Sequence, residues 1–307
     1  MLPRTVVSVP GRKKQGPSNL MKGAIIFIIA ILILSYGFSL LASNSGPAVP
    51  QPSSFVAASW MSIVPQDVLV LRYWDIPDLA STATLFPTPV ILSIANPGLN
   101  LTVGAISYEV FMELNSTAGV NAYALNSTTL TAFGTSLENS NLTTSTFGNV
   151  TFYKLQQNLS SGATETWVCV TKGMFIIAQG NGTAVPALES VVAATPETFF
   201  STDQLKVAYL LSNNSGPNIY FSYLNPGTNS FNITWAMNGI TNGTSLDVRT
   251  IFNFPSASVM NNQYNNVKKN LLSEDTSLNT VNSYAVIYGD INYPYSEITS
   301  LLSGGVF

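Results

Sequence analysis

"ISYEVFMELN", residues 106–115, sets apolar Ile106, Tyr108, Val110, Met112 and Leu114 against polar Ser107, Glu109 and Glu113. Successive side chains of a strand point to opposite faces, so this period of two predicts a strand with one buried face. Similar short runs recur on both sides: "DVLVLRYWD" (67–75), "GVNAYALNS" (119–127), "NVTFYKL" (149–155), "ETWVCVT" (165–171) and "MFIIAQ" (174–179). A Lys-Gly turn joins the last two. "NIYFSYL" (218–224), "SFNITWAM" (230–237) and "SLDVRTIFNF" (245–254) follow, separated by Asn/Gly-rich breaks of hairpin length.

Helix-length runs stand between these strands. "IPDLASTATLF" (76–86), "TTLTAFGTSLEN" (128–139), "TAVPALESVVAAT" (183–195) and "YPYSEITSLLS" (293–303) each follow a strand signal. In "SASVMNNQYNNVKKNLLSED" (256–275), Val259, Gln263, Val267 and Leu271 recur at helical spacing. Short gaps between strands argue against a parallel, doubly wound sheet, so the expected class is α+β with a mostly antiparallel sheet. The first and last strand–helix units close on Tyr73-Trp74-Asp75-Ile76 and Tyr288-Gly289-Asp290-Ile291, a faint sign of an internal repeat.

Ahead of this body the chain changes character. Residues 24–42, inside "MKGAIIFIIAILILSYGFSLLASNSG" (21–46), form an uncharged, mostly apolar run of 19. At ~1.5 Å per residue a helix of that length spans a bilayer's hydrocarbon core. Arg4, Arg12, Lys13, Lys14 and Lys22 precede it and no acidic residue does, which orients the leader (1–23) toward the cytoplasm and the body outward. The core is long for a cleaved signal, and Leu40 stands where an A-x-A exit needs a small residue. A retained single-pass anchor is therefore the favoured reading. "SNSGPAVPQPSSF" (43–55) carries three prolines and reads as a semi-extended spacer, leaving 56–307 as the external domain with a subdomain break expected near 213–217.

Composition narrows function. Only 9% of residues are charged, against about 25% in an ordinary soluble domain, and Ser, Thr and Asn fill the deficit. Such a surface stays hydrated without titrating, which suits acidic surroundings. After the apolar run lie 7 basic and all 15 acidic residues, a balance of 7 − 15 = −8 that disfavours nucleic acid. Ten N-x-S/T sequons fall on the outer side, at Asn100, Asn115, Asn126, Asn141, Asn149, Asn158, Asn181, Asn213, Asn232 and Asn242. These are candidate attachment points for N-linked glycans.

Catalytic patterns are sparse. With no His and one Cys, neither a Ser-His-Asp or Cys-His triad, a His-containing or Cys-based zinc site, nor an iron–sulfur cluster can be assembled from this sequence. Ser-x-x-Lys, Walker A and dinucleotide-binding patterns are missing, and neither catalytic, cofactor nor metal residues are assigned. Cys169, inside an apolar run, reads as a buried, inert thiol. Carboxylates remain: "DTS" at Asp275 matches half of an aspartic-protease pair, and Asp75 and Asp78 read as caps of the helix that follows them. Glu109 and Glu113 share one strand face ~13 Å apart. Seven aromatics of the C-terminal third, among them Tyr220, Tyr223 and Trp235, read as sheet and core packing.

The arrangement of one N-terminal helix, a polar spacer and a Ser/Thr/Asn-rich α+β ectodomain resembles the membrane-anchored surface glycoproteins of thermoacidophilic archaea. The resemblance implies a non-enzymatic role in envelope architecture, assembly or adhesion, with lipid, other envelope proteins and glycans as partners. Lys22-Gly23-Ala24 also resembles the class III signals of archaeal type IV pilin-like proteins, which would make Ala24 the mature N-terminus and the chain a filament subunit. An accessory subunit or solute-binding receptor of a membrane complex fits a single anchor too. An acid-active hydrolase using Asp275 or Asp75 is the remote alternative.

Overall fold

The computed structural model describes residues 49–77, 90–94, 97–115, 118–155, 165–213, 220–225, 232–241, 245–270 and 278–294. The apolar run 24–42, Lys22, Gly23 and Ala24 lie outside them, as does the 214–217 part of the expected subdomain break. Among the described residues no helix is long and apolar enough to cross a membrane.

The strands are β1 (Val70–Asp75), β2 (Val90–Ile94), β3 (Leu99–Thr102), β4 (Ile106–Asn115), β5 (Ala118–Leu125), β6 (Thr143–Phe147) and β7 (Val150–Lys154). After them come β8 (Thr166–Thr171), β9 (Met174–Gln179), β10 (Tyr220–Leu224), β11 (Asn232–Thr241), β12 (Ser245–Asn253), β13 (Leu278–Val281) and β14 (Val286–Pro294). Among the described residues, five complete α-helices intervene: α1 (Ser127–Glu138), α2 (Ala184–Ala193), α3 (Pro196–Phe199), α4 (Asp203–Ser212) and α5 (Ala257–Asn270). Twelve strands form one sheet in the order β13-β14-β12-β11-β10-β1-β4-β5-β9-β8-β7-β6, and every pairing in it is antiparallel. β2 and β3 make a separate two-stranded ladder. The expected α+β class with antiparallel sheet is what the chain adopts.

Both faces of the sheet are covered. Tyr108, Val110, Met112 and Leu114 of β4 face one core, as their alternation predicts. Ile106 does not share that face. A register irregularity between Ile106 and Tyr108 sends it to the other face, where it meets Leu99, Leu101, Phe133 and Leu137. On the first face α2 buries Ala184, Ala187, Leu188 and Val191, the i, i+3, i+4, i+7 stripe of an amphipathic helix. α4 lays Val207, Ala208 and Leu211 on Ile251, Val286 and Tyr288. On the second face α1 inserts Phe133 edge-on against Phe175 at 5.0 Å between ring centroids, and α5 covers Phe252 and Ile287.

The helical spacing read in 256–275 picks the wrong stripe. Val259 is 38% exposed, whereas Met260 and Val267 are buried and Tyr264 packs beside them. Met260, Tyr264 and Val267 are equally i, i+4, i+7, and the larger, more apolar set takes the sheet side. β14 also runs to Pro294, so Tyr293 and Pro294, expected to open a helix, extend a strand instead.

Residues 52–63, from the end of the expected spacer into the body, are built into the core. Turns of 3-10 helix at Pro52–Ser54 and Ser59–Ile63 carry Phe55 and Trp60 onto the first face. Phe55 lies 5.1 Å from Phe200, and Trp60 stacks on Tyr73 at 5.2 Å with Phe200, Tyr209 and Phe221 around it.

Two halves repeat one plan. β4 and β5 form a hairpin, α1 crosses the second face, and β9 returns beside β5 with β8 outside it. β11 and β12, α5, β14 and β13 do the same in the same order. β1 and β10 join the halves as an antiparallel pair from Val70↔Leu224 to Trp74↔Tyr220, which places a pseudo-twofold axis normal to the sheet between them. The hairpins β8–β9 and β13–β14 contain Lys172 and Ala285, the two non-glycine residues with positive φ among the described residues, both at 51°. Tyr73-Trp74-Asp75-Ile76 and Tyr288-Gly289-Asp290-Ile291 are not equivalents in this repeat: the first runs from the central β1 and the second lies on β14 beside the edge.

Candidate functional site

The central strands place Arg72, Glu109, Glu113 and Tyr123 on the second sheet face. Trp74 of β1 stands in register between Tyr220 of β10 and Glu109 of β4, and Tyr123 of β5 lies on the far side of Glu109. The Trp74 and Tyr220 rings are 6.1 Å apart. One step along the strands, Arg72 sits between Ser222 and Phe111, its guanidinium 5.7 Å from the Phe111 ring centre. Such a contact is worth about 0.5–1 kcal/mol, more when shielded from water.

Glu109 is the unusual group. Burial disfavours its charged form and pushes its carboxyl up to about 7, although the Tyr123 hydroxyl donates a hydrogen bond that partly opposes the shift. Burial and the facing carboxylate push the Tyr123 hydroxyl upward as well. In a chain without histidine, Glu109 thereby occupies the titration range in which histidine ordinarily works. Glu113 shares its face, with Phe111 between them. The ~13 Å of strand separating Glu109 from Glu113 exceeds the ~5–9.5 Å at which two carboxyls act on one glycosidic bond. Among the described residues no group of three or more Cys, Asp or Glu is placed to hold a metal ion.

The sequons take varied positions. Asn100, Asn126, Asn141, Asn149 and Asn181 are exposed, while Asn213, after α4, and Asn232, opening β11, are half-buried. Asn115 ends β4; its side chain, Asn158 and Asn242 lie outside the described residues. Asn126 is also the N-cap of α1: the Thr129 N–H donates to its Oδ1 at 2.9 Å, filling one of the helix's free donors. At Asn181 the Glu165 N–H donates to Oδ1 at 3.0 Å. In both, the oxygen is held by backbone, and Nδ2, the atom a glycan would use, is left on the opposite side of the amide.

Among the carboxylates, Asp75 ends β1 immediately before the helical residues 76–77, whereas Asp78 and Asp275 lie outside the described residues. Cys169 is fully buried, and burial pushes its thiol up to about 12, so it is an inert core thiol as expected.

Sequence reading missed three polar anchors because each joins residues far apart in the chain. Lys172, in the turn between β8 and β9, donates to the carbonyls of Ser62, Val191 and Ala194 at 2.7, 3.1 and 2.6 Å. Arg249 grips Asp290 with two parallel bonds of 2.6 and 2.7 Å and donates to the Leu211 carbonyl at the end of α4. Gln204 of α4 bridges the Phe254 and Tyr284 carbonyls. The Lys-Gly pair was the one local signal for any of them: both its residues have positive φ, as a tight hairpin requires.

Compared with family models, curated proteins and solved structures, the chain matches none of them.

Proposed function

We propose that this chain is a non-enzymatic, single-pass cell-surface glycoprotein whose body serves envelope architecture, assembly or adhesion outside the membrane. The observation that carries the reading is the uncharged run 24–42 behind five basic residues and no acidic one. Exposure of five of the seven sequon asparagines with described side chains supports it. So does a body surface poor in charge. Lipid around 24–42, N-linked glycans and neighbouring envelope proteins are its partners. Protease treatment of intact cells tests the topology: digestion of the body is expected, and full protection of the body overturns the proposal.

The Lys22-Gly23-Ala24 stretch favours a second reading, a pilin-like filament subunit. Mass determination of the mature N-terminus separates the two. A start at Ala24 points to the filament, and an intact leader to the lipid anchor.

A further inference from the structure

Among the described residues β6 is the outermost strand on its side of the sheet, and four of its five residues are exposed. A strand bonded on one flank turns a row of N–H and C=O groups outward, ready to template another chain. Proteins usually blunt such edges with charge, proline, a bulge or very short length. β6 has none of these. Residues 139–149 read "NSNLTTSTFGN", without charge or proline, and the pairing with β7 runs unbroken from Thr143↔Lys154 to Phe147↔Val150. Phe147, 37% exposed, adds apolar surface. The opposite edge is treated differently: β13 has four residues and passes into a 3-10 turn, Asn282–Tyr284, and then left-handed Ala285.

Sequons stand at both ends of β6. Asn141 precedes it by two residues, and Asn149 is the second residue of the Gly148-Asn149 turn that follows; both are exposed. Gly148, at φ +58°, allows a two-residue turn, which keeps Asn149 at the end of the strand. The strand between them is only ~17 Å long. We infer that glycans on Asn141 and Asn149 cover the β6 edge and prevent it from pairing with β6 of a second copy of the chain. Bare β6 is self-complementary: an antiparallel pair centred on Ser145 sets Thr144 against Thr146 with no like charges opposed.

The inference rests on the glycoprotein reading, and its test separates the two. Glycopeptide mass spectrometry of the full chain from its native membrane is expected to find glycan at Asn141 and Asn149. Glycan elsewhere but at neither of these sites overturns the inference and spares the glycoprotein reading; glycan nowhere overturns both. The full chain carrying N141Q and N149Q, in detergent, is expected to show an about twofold rise in weight-average mass, the signature of a symmetric dimer. A control carrying N100Q and N181Q should not, and T144K added to the double variant should restore the lower mass. Enzymatic deglycosylation of the folded wild-type chain provides the same comparison without mutation. An unchanged mass on loss of both glycans, or an equal rise in the control, overturns the inference.

Discussion

The Lys172 ammonium lies 2.6 Å from the Ala194 carbonyl and 2.7 Å from that of Ser62, so one side chain ties the end of α2 to the turn ahead of β1. Carbonyls at a helix C-terminus have no partner within the helix, and a cation there answers both their hydrogen bonding and the helix dipole. Lys172→Asn isolates that contribution, because Asn tolerates the left-handed backbone and lacks the ammonium. A loss of about 1–2 kcal/mol is expected in denaturant unfolding. An unchanged midpoint would show that the three contacts contribute nothing net.

Glu109 sets a pH dependence whose sign follows from its raised carboxyl. Unfolded, the group titrates near 4.5; folded, near 7. The folded state therefore binds the proton more tightly. The resulting stability is fully present below pH ~4.5 and is lost as pH rises through ~7. Glu109→Gln removes the titration while keeping the shape. It should match wild type in acid and exceed it by about 3 kcal/mol above pH 7, at ~1.4 kcal/mol per pKa unit between 4.5 and about 7. Urea midpoints across pH 4–8 check this, and parallel curves for the two proteins would contradict it. The trend favours acidic surroundings, in keeping with the sparse charge.

Trp60, 4% exposed and ringed by Tyr73, Phe200, Tyr209 and Phe221, fastens the segment before β1 to the core. Trp60→Ala is expected to cost about 3–5 kcal/mol. Val56, 80% exposed four residues earlier, should tolerate Val56→Ala with a change under about 0.5 kcal/mol. Thermal unfolding of both variants distinguishes an anchored segment from a loosely attached spacer.

Asn253 is 2% exposed, and neither its Oδ1 nor its Nδ2 has a hydrogen-bond partner. Burying an unsatisfied amide costs about 1–3 kcal/mol. Asn253→Leu, similar in size, is expected to raise the unfolding midpoint. A lowered midpoint would reveal that a buried water satisfies the amide.

Much of the sheet was legible because its strands are short, β-branched and locally patterned: β4, β8, β9 and β12 announce themselves by alternation or by continuous apolar runs. α4 went unread, although Thr202 caps it and Val207, Ala208 and Leu211 form its buried stripe. Its register depends on Ile251 and Tyr288, residues that no local window around 203–212 contains. β6 was equally silent, since "TTSTF" has no apolar alternation and is a strand because β7 pairs with it. The raised Glu109 carboxyl needs Tyr123 on the next strand, and the bulge at Ile106 changes a face without leaving a mark in composition.

The β1–β10 pair joins residues about 150 positions apart, Val70 to Leu224 and Trp74 to Tyr220. All seven strands on the β1 side of that seam are complete in the chain by Gln179. During synthesis or export from the N-terminus, this half can therefore assemble as a unit while β1 still offers a bare flank. The second half docks there only after residues 220–224 emerge, so the order of delivery determines which edge is exposed, and for how long.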